Sequence, residues 1–214
     1  MKIRPLLIGA AAAALLAGCS AGSGTPEVTP SQESPAEVAE TETPTEEPTT
    51  EEPEAPTTGT REAPLKPGES RKLSDESAWT LSLNSSNLDA AAAIMAADEF
   101  AQPPAEGEVF IVGNFSVGVD GEALAAQGID LANDGADVWS SVLFTYVAAD
   151  GTSYDGTTGT MCYTDNMIYN QGTVYQGGVT VSGDVCMAVP ADKVAGGLWR
   201  AANMQNDNVW MSPS

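Results

Sequence analysis

Between residues 70 and 214, apolar and polar side chains alternate with a period of two in four separate stretches. In "WTLSL", Trp79, Leu81 and Leu83 alternate with Thr80 and Ser82. In "VFIVGNFSVGV", Val109, Ile111, Phe115, Val117 and Val119 share one face. "VWSSVLFTYVA" sets Val138, Val142, Phe144 and Tyr146 against Ser141 and Thr145. "VTVSGDVCMAV" sets Val179, Val181, Val185, Met187 and Val189 against Thr180, Ser182 and Asp184. Successive side chains of a strand point to opposite faces, so each stretch predicts a strand with one buried side. Asp150-Gly151, Asp155-Gly156 and Gly177-Gly178 punctuate the pattern as turns do. Short strands between turns, without a long helical pattern, predict an all-β antiparallel sandwich. "NLDAAAAIMAA" stands apart. Its alanines suit a short helix with Leu88, Ala91, Ala92 and Met95 on one face, and the residues alone leave helix and strand open.

Ahead of this region the pattern stops. Residues 20–68 hold almost no large apolar side chain and repeat Pro, Thr, Ser and Glu, as in "TETPTEEPTTEEPEAPTTGT". Such a segment cannot bury enough surface to offset its chain entropy. It predicts a disordered linker over 19–69, a folded domain over 70–214, and a protease-resistant fragment beginning near residue 70. The first residues carry Lys2 and Arg4 and then an apolar run from Leu6 to Ala17. That run is shorter than the ~20 residues a bilayer span needs, so residues 1–18 read as a secretory leader. Leu16-Ala17-Gly18-Cys19 resembles the bacterial lipobox. The resemblance implies a diacylglyceryl thioether on Cys19, cleavage after Gly18, and acylation of the new amino terminus. The expected location is the extracytoplasmic face of the cell membrane, held by lipid. Several acyl chains anchor stably where one is marginal.

The formal net charge is −22, with no histidine, and removal of the leader takes two positive charges away. A surface of that sign repels nucleic acid. With Cys19 lipidated, Cys162 and Cys186 remain as an even pair in an oxidising compartment, which predicts a disulfide. Cys186 falls on the Thr180/Ser182/Asp184 face of its strand, so the bridge is expected along the outside of the sandwich and not in its centre.

"WTLSLNSSNLDAAAAIMAADEFAQPPAEGEVFIVGNFSV" resembles the opening of immunoglobulin-like domains in actinobacterial lipoproteins. The later "ADGTSYDG" and "QGGVTVSGDVCMAVPAD" resemble that family's turn and its Gly-Gly…Val-Pro strand. The match spans most of residues 75–200 and departs at Asp98 and Ala101, where the family pattern has asparagines. The family is similar to secreted mycobacterial immunoprotective antigens. The resemblance implies an immunoglobulin-like sandwich, no catalytic residue, and an extended alanine stretch continuing the first strand.

Chemistry-bearing patterns are sparse. Without histidine, Ser-His-Asp and Cys-His catalysis and His-ligated zinc are excluded. A Ser-Lys dyad would have to use Lys193. Paired carboxylates for glycoside cleavage carry no signal among so many Asp and Glu. "DLANDGAD" offers Asp130, Asn133, Asp134 and Asp137 as oxygen donors for calcium, without EF-hand spacing. Trp139, Trp199 and Trp210 suit either a sugar-binding platform or the sandwich core. The expectation is therefore a non-catalytic interaction domain with no cofactor. Its partners would be membrane lipid through Cys19 and an unidentified protein or envelope component. The alternatives are a small-ligand or calcium-binding lipoprotein accessory to transport, and a hydrolase with an unrecognised carboxylate site.

Overall fold

The computed structural model describes residues 58–214, so the leader, Cys19 and most of the linker lie outside the described residues. Two four-stranded antiparallel sheets face each other. The first contains β1 (Ser70–Lys72), β2 (Trp79–Asn87), β3 (Glu108–Val119) and β6 (Thr180–Pro190), in that spatial order. The second runs β5 (Ser153–Tyr154), β4 (Leu143–Val147), β7 (Leu198–Ala202), β8 (Asn208–Met211). The chain crosses between sheets after β3, returns after β5, and crosses again after β6. As a result β3 lies beside β6 and β4 beside β7, which is the interlocked order of an immunoglobulin-like sandwich. The all-β expectation holds.

The alternation seen in the sequence fills the space between the sheets. Leu81, Leu83, Ile111, Phe115, Val117, Val185, Met187 and Val189 point inward from the first sheet; Tyr146, Trp199, Val209 and Met211 answer from the second. Phe115 and Tyr146 meet the Trp199 indole edge-on, at centroid distances of 5.4 and 5.2 Å. The fully buried indole N–H donates to Ser86 Oγ (2.9 Å), and the Tyr146 hydroxyl donates to the Val194 carbonyl (2.5 Å). These bonds let large amphipathic rings sit in the core without an unpaired donor.

Three segments differ from the sequence expectation. The alanine stretch is helical: α1 spans Ala91–Ala97, and the extended conformation implied by the family resemblance is not adopted. Its buried side carries Ala90 and Ile94, while Met95 faces outward. The Ala90 N–H donates to the Phe110 carbonyl (2.8 Å), pinning the start of the helix to β3. "VWSS" is also helical, as α4 (Val138–Ser141), and the strand begins only at Leu143. Val138 and Val142 are both buried, and a spacing of four satisfies a helix as well as a strand, so alternation could not tell them apart. Two further helices, α2 (Gly121–Ala126) and α3 (Leu131–Asp134), occupy the β3–β4 connection. Asp120 caps α2 by accepting from the Glu122 and Ala123 amides.

The packed chain also reaches back before residue 70. Leu65 is 2 % exposed and pairs in parallel with Met211. Its N–H donates to Trp210 O, and the Ser212 N–H donates to its carbonyl. Leu65 is the one large apolar residue of that polar stretch, and it covers the free edge of β8.

Candidate functional site

Cys162 and Cys186 form the expected disulfide, with Cα atoms 5.6 Å apart. Cys186 lies opposite Val112 on the face of the first sheet turned away from the sandwich centre, as its strand parity requires. That face is nonetheless covered here. Phe110, Ala188, Cys162 and Cys186 pack with Ala90 and Ile94 of the helix and with Met167, forming a second small core on the back of the sheet. The bridge lies inside this core, and both cysteines are buried.

The segment after Cys162 then passes along the edge of β6. Met167 pairs in parallel with Asp184, whose N–H donates to Asn166 O (2.7 Å). The approach is so close that a β-carbon at Gly183 would lie 2.6 Å from the Ile168 α-carbon. A short 3-10 turn, Ile168–Asn170, sends Ile168 into the main core and leaves Tyr169 outside.

Between this segment and β4 runs a groove of about 580 Å3, floored by Val142, Phe144, Ile168 and Val185. Its rim carries Trp139, Leu143, Met161, Tyr163 and Tyr169, all exposed; Trp139 keeps 56 % of its surface in water. Exposed large apolar side chains gathered in one concavity mark a binding surface more often than scattered ones do. Burial, and then the neighbouring Tyr163 phenol, push the Tyr169 phenol above its usual range. The Tyr169 hydroxyl therefore stays a neutral donor at any physiological pH. Asp155 and Asp184 also line the groove, and no Lys or Arg among the described residues does. Hydrogen bonds from the Thr157 hydroxyl and amide hold the Asp155 carboxyl below the usual carboxylate range, so it stays ionised. Asp184 accepts from Asn114 (2.6 Å) and Thr164 (2.8 Å).

A second hollow, of about 250 Å3, lies across the same segment between α1 and Val112, and Tyr163 lines both.

The backbone of β4 is also open here. β5 pairs only with Tyr146 and Val147, so among the described residues no strand lies against Leu143–Thr145 on the side away from β7. The Ala148 N–H points toward β5, donating to Thr152 O. By the alternation of an antiparallel ladder, the N–H and C=O of Phe144 point the same way, toward the uncovered edge.

The residues singled out for chemistry are placed otherwise. Of the proposed calcium donors, Asp130, Asn133 and Asp134 are hydrogen-bonded to one another and Asp137 to Thr173. The Asp134 carboxylate accepts from the Asp130 N–H (3.1 Å), the Asn133 amide donates to Asp130 Oδ2 (2.6 Å), and Asp137 accepts from Thr173 (2.6 Å). No group of three His, Cys, Asp or Glu among the described residues is placed to hold a metal ion. One carboxylate oxygen of each of these aspartates accepts a hydrogen bond from the protein itself. Lys193 pairs with Asp150 at 2.8 Å, and hydrogen bonding and charge from that carboxylate raise its pKa, the opposite of what a general base needs. The three tryptophans form no platform. Trp199 is in the core, Trp210 lies under the Arg61 and Arg200 guanidinium groups on the far edge of its sheet, and only Trp139 reaches the groove. Sequence reasoning passed over Met161, Tyr163 and Tyr169; the only signal was two tyrosines and three methionines or isoleucines crowded into "MCYTDNMIYN".

No family model matches the chain, and no curated protein does. A conserved hypothetical protein from Bacillus anthracis, solved by crystallography, is similar over 63 % of this chain and 87 % of that one, at 10 % identity and a TM-score of 0.34. No helix among the described residues is long and apolar enough to cross a membrane.

Proposed function

We propose that the protein is a lipid-anchored extracytoplasmic lipoprotein that presents a non-catalytic immunoglobulin-like domain for interaction with an envelope component. One observation carries the interaction reading: the groove bounded by Trp139, Leu143, Met161, Tyr163 and Tyr169, which leaves large apolar side chains exposed together. Desolvating such rings is the largest source of affinity a small domain offers. The anchor rests on the lipobox at Cys19 and on the resemblance to lipoprotein domains of actinobacteria.

Photo-crosslinking in the native cells tests both halves. A benzoylphenylalanine replacing Tyr163 is expected to capture one discrete partner in the membrane fraction, and the same probe at the exposed Phe100, outside the groove, is expected to capture none. The Cys19→Ala chain is expected to leave the membrane fraction. Equal capture from both positions would remove the groove as the binding site, and a fully processed Cys19→Ala protein still in the membrane would remove the anchor.

A further inference from the structure

We infer that the groove takes an extended peptide segment of basic and apolar character, which adds to the open edge of β4; this deepens, and rests on, the binding role given to the groove above. Three features of one surface select that occupant over a sugar or an acidic chain. The first is the uncovered backbone at Leu143–Thr145, with the Phe144 N–H and C=O directed outward. An unpaired strand edge supplies main-chain hydrogen bonds to any extended segment, while neighbouring pockets read its alternate side chains. At ~3.3 Å per residue, three open positions span about 10 Å, the length of the central three residues of a short peptide.

The second feature is what lies beside that edge. Val142, Phe144, Ile168 and Val185 make an apolar floor, and Trp139 and Tyr163 stand at its rim. An aliphatic side chain from the added strand can rest on that floor.

The third is charge. Asp155 and Asp184 line the groove, and Asp137 precedes the turn that carries Trp139. The basic residues of the described unit are elsewhere: Arg61, Lys66, Arg71 and Arg200 lie toward the β1 and β8 edges, Lys72 is paired with Asp120, and Lys193 with Asp150. The acidic linker of this chain, with its run of glutamates, is repelled by the same carboxylates and is a poor occupant. A segment with Lys or Arg flanking aliphatic residues is attracted by them, and like-charge juxtaposition rejects its acidic counterpart.

The test uses the full-length chain and four probes: acetyl-Arg-Val-Leu-Val-Arg-amide, its Glu-Val-Leu-Val-Glu counterpart, an Arg peptide N-methylated at alternate residues, and maltohexaose. Calorimetry measures affinity, and amide hydrogen exchange locates binding. The Arg peptide is expected to bind, to slow exchange at Phe144, and to weaken as sodium chloride rises. The Glu and N-methylated peptides are expected to bind at least about tenfold more weakly, through charge and through loss of strand pairing respectively. Trp139→Ala and, independently, Met161→Lys are expected to lower Arg-peptide affinity by a similar factor while the unfolding midpoint stays put, so loss of fold cannot imitate the result. Equal affinity for the Arg and N-methylated peptides overturns strand addition, and equal affinity for the Arg and Glu peptides overturns the basic occupant. Maltohexaose binding that Trp139→Ala abolishes, without peptide binding, overturns the peptide inference and leaves the groove as a binding site. Failure of every probe, together with equal crosslinking from positions 163 and 100, overturns both.

Discussion

At Gly183 the inward-facing hydrogen is the only substituent the structure admits. A β-carbon there would stand 2.6 Å from the Ile168 α-carbon and 2.8 Å from its nitrogen, both backbone atoms that cannot rotate away. Gly183→Ala is therefore expected to lift the 166–168 segment from the edge of β6, weaken the Asp184 N–H bond to Asn166 O, and lose about 1–3 kcal/mol of stability. Denaturant unfolding and exchange of the Asp184 amide check this. Gly172→Ala serves as the control. Nothing lies within 4 Å of the added carbon, and its cost should stay within about 0.5 kcal/mol. The close approach at Gly183 was not legible in "VSGDV", because the atom it meets belongs to a loop whose path is set by tertiary packing. Gly113 repeats the point, since its β-carbon would strike Phe115 and Trp199 side chains. A charge effect belongs at this scale as well. A hydrogen bond from Lys193, then bonds from Thr152, draw Asp150 down to about 2. Its folded pKa is lowered, so whatever this exposed pair contributes is present above the unfolded value and fades as pH falls from about 4 toward about 2.

The elements show where reading the sequence succeeded and where it stopped. β2, β3 and β6 were legible because each carries a long alternation with one buried face, and the parity of β6 correctly put Cys186 on the side away from the valines. What parity cannot say is whether that other side meets water. α1 and the 160s segment cover it, so the bridge is enclosed and not superficial. The α1 and α4 segments were misread or left open because a spacing of four fits either period and because alanine packs acceptably in both. The groove was illegible for a related reason: exposure of Tyr163 and Tyr169 depends on where β4 and β6 end up, and no local pattern encodes it. Enclosure of the disulfide sharpens its expected behaviour. Replacing both cysteines should cost about 2–4 kcal/mol by releasing a loop with sequence separation 24, while the sandwich stays folded and amide exchange rises over 160–176. Alanine at both positions should be better tolerated than serine by about 1–2 kcal/mol, since two hydroxyls would enter an apolar cluster without partners. Equal stability of the two double variants would mean that water reaches the bridge.

For the whole molecule, the folded unit is larger at its amino-terminal end than composition suggests. Composition weighs a stretch by its average, and the 58–69 stretch averages as linker, yet a leucine docked beside Met211, with backbone hydrogen bonds between Trp210 and both Gly59 and Leu65, binds it to the second sheet. A chain beginning at residue 58 is expected to be more stable than one beginning at residue 70 by about 1.5–3 kcal/mol, the scale of burying one leucine. Limited proteolysis should accordingly leave a fragment that retains Leu65. Coincident unfolding curves for the two chains would show that the docked leucine contributes nothing. The same arrangement puts Leu65 and the groove on opposite sides of one sheet, beside β8 and β4. A segment added to β4 in the groove would therefore lie three strands away from β8, beside which Leu65 docks.

The second apolar cluster has a consequence for how this sequence can vary. Along the outward side of β3, Phe110 and Val112 sit beneath the helix and the 160s segment, whereas Asn114 and Ser116 face a hydrogen-bonded polar surface shared with Asn84, Ser182 and Asp184. One face of one strand thus lives under two rules of substitution, divided between residues 112 and 114. β6 repeats the division, with Cys186 and Ala188 on one side of it and Ser182 and Asp184 on the other. Drift among descendants of this chain should then be channelled: polar exchanges accumulate at one end of the sheet, while at the other end Ala90, Ile94, Phe110 and Ala188 change together or not at all.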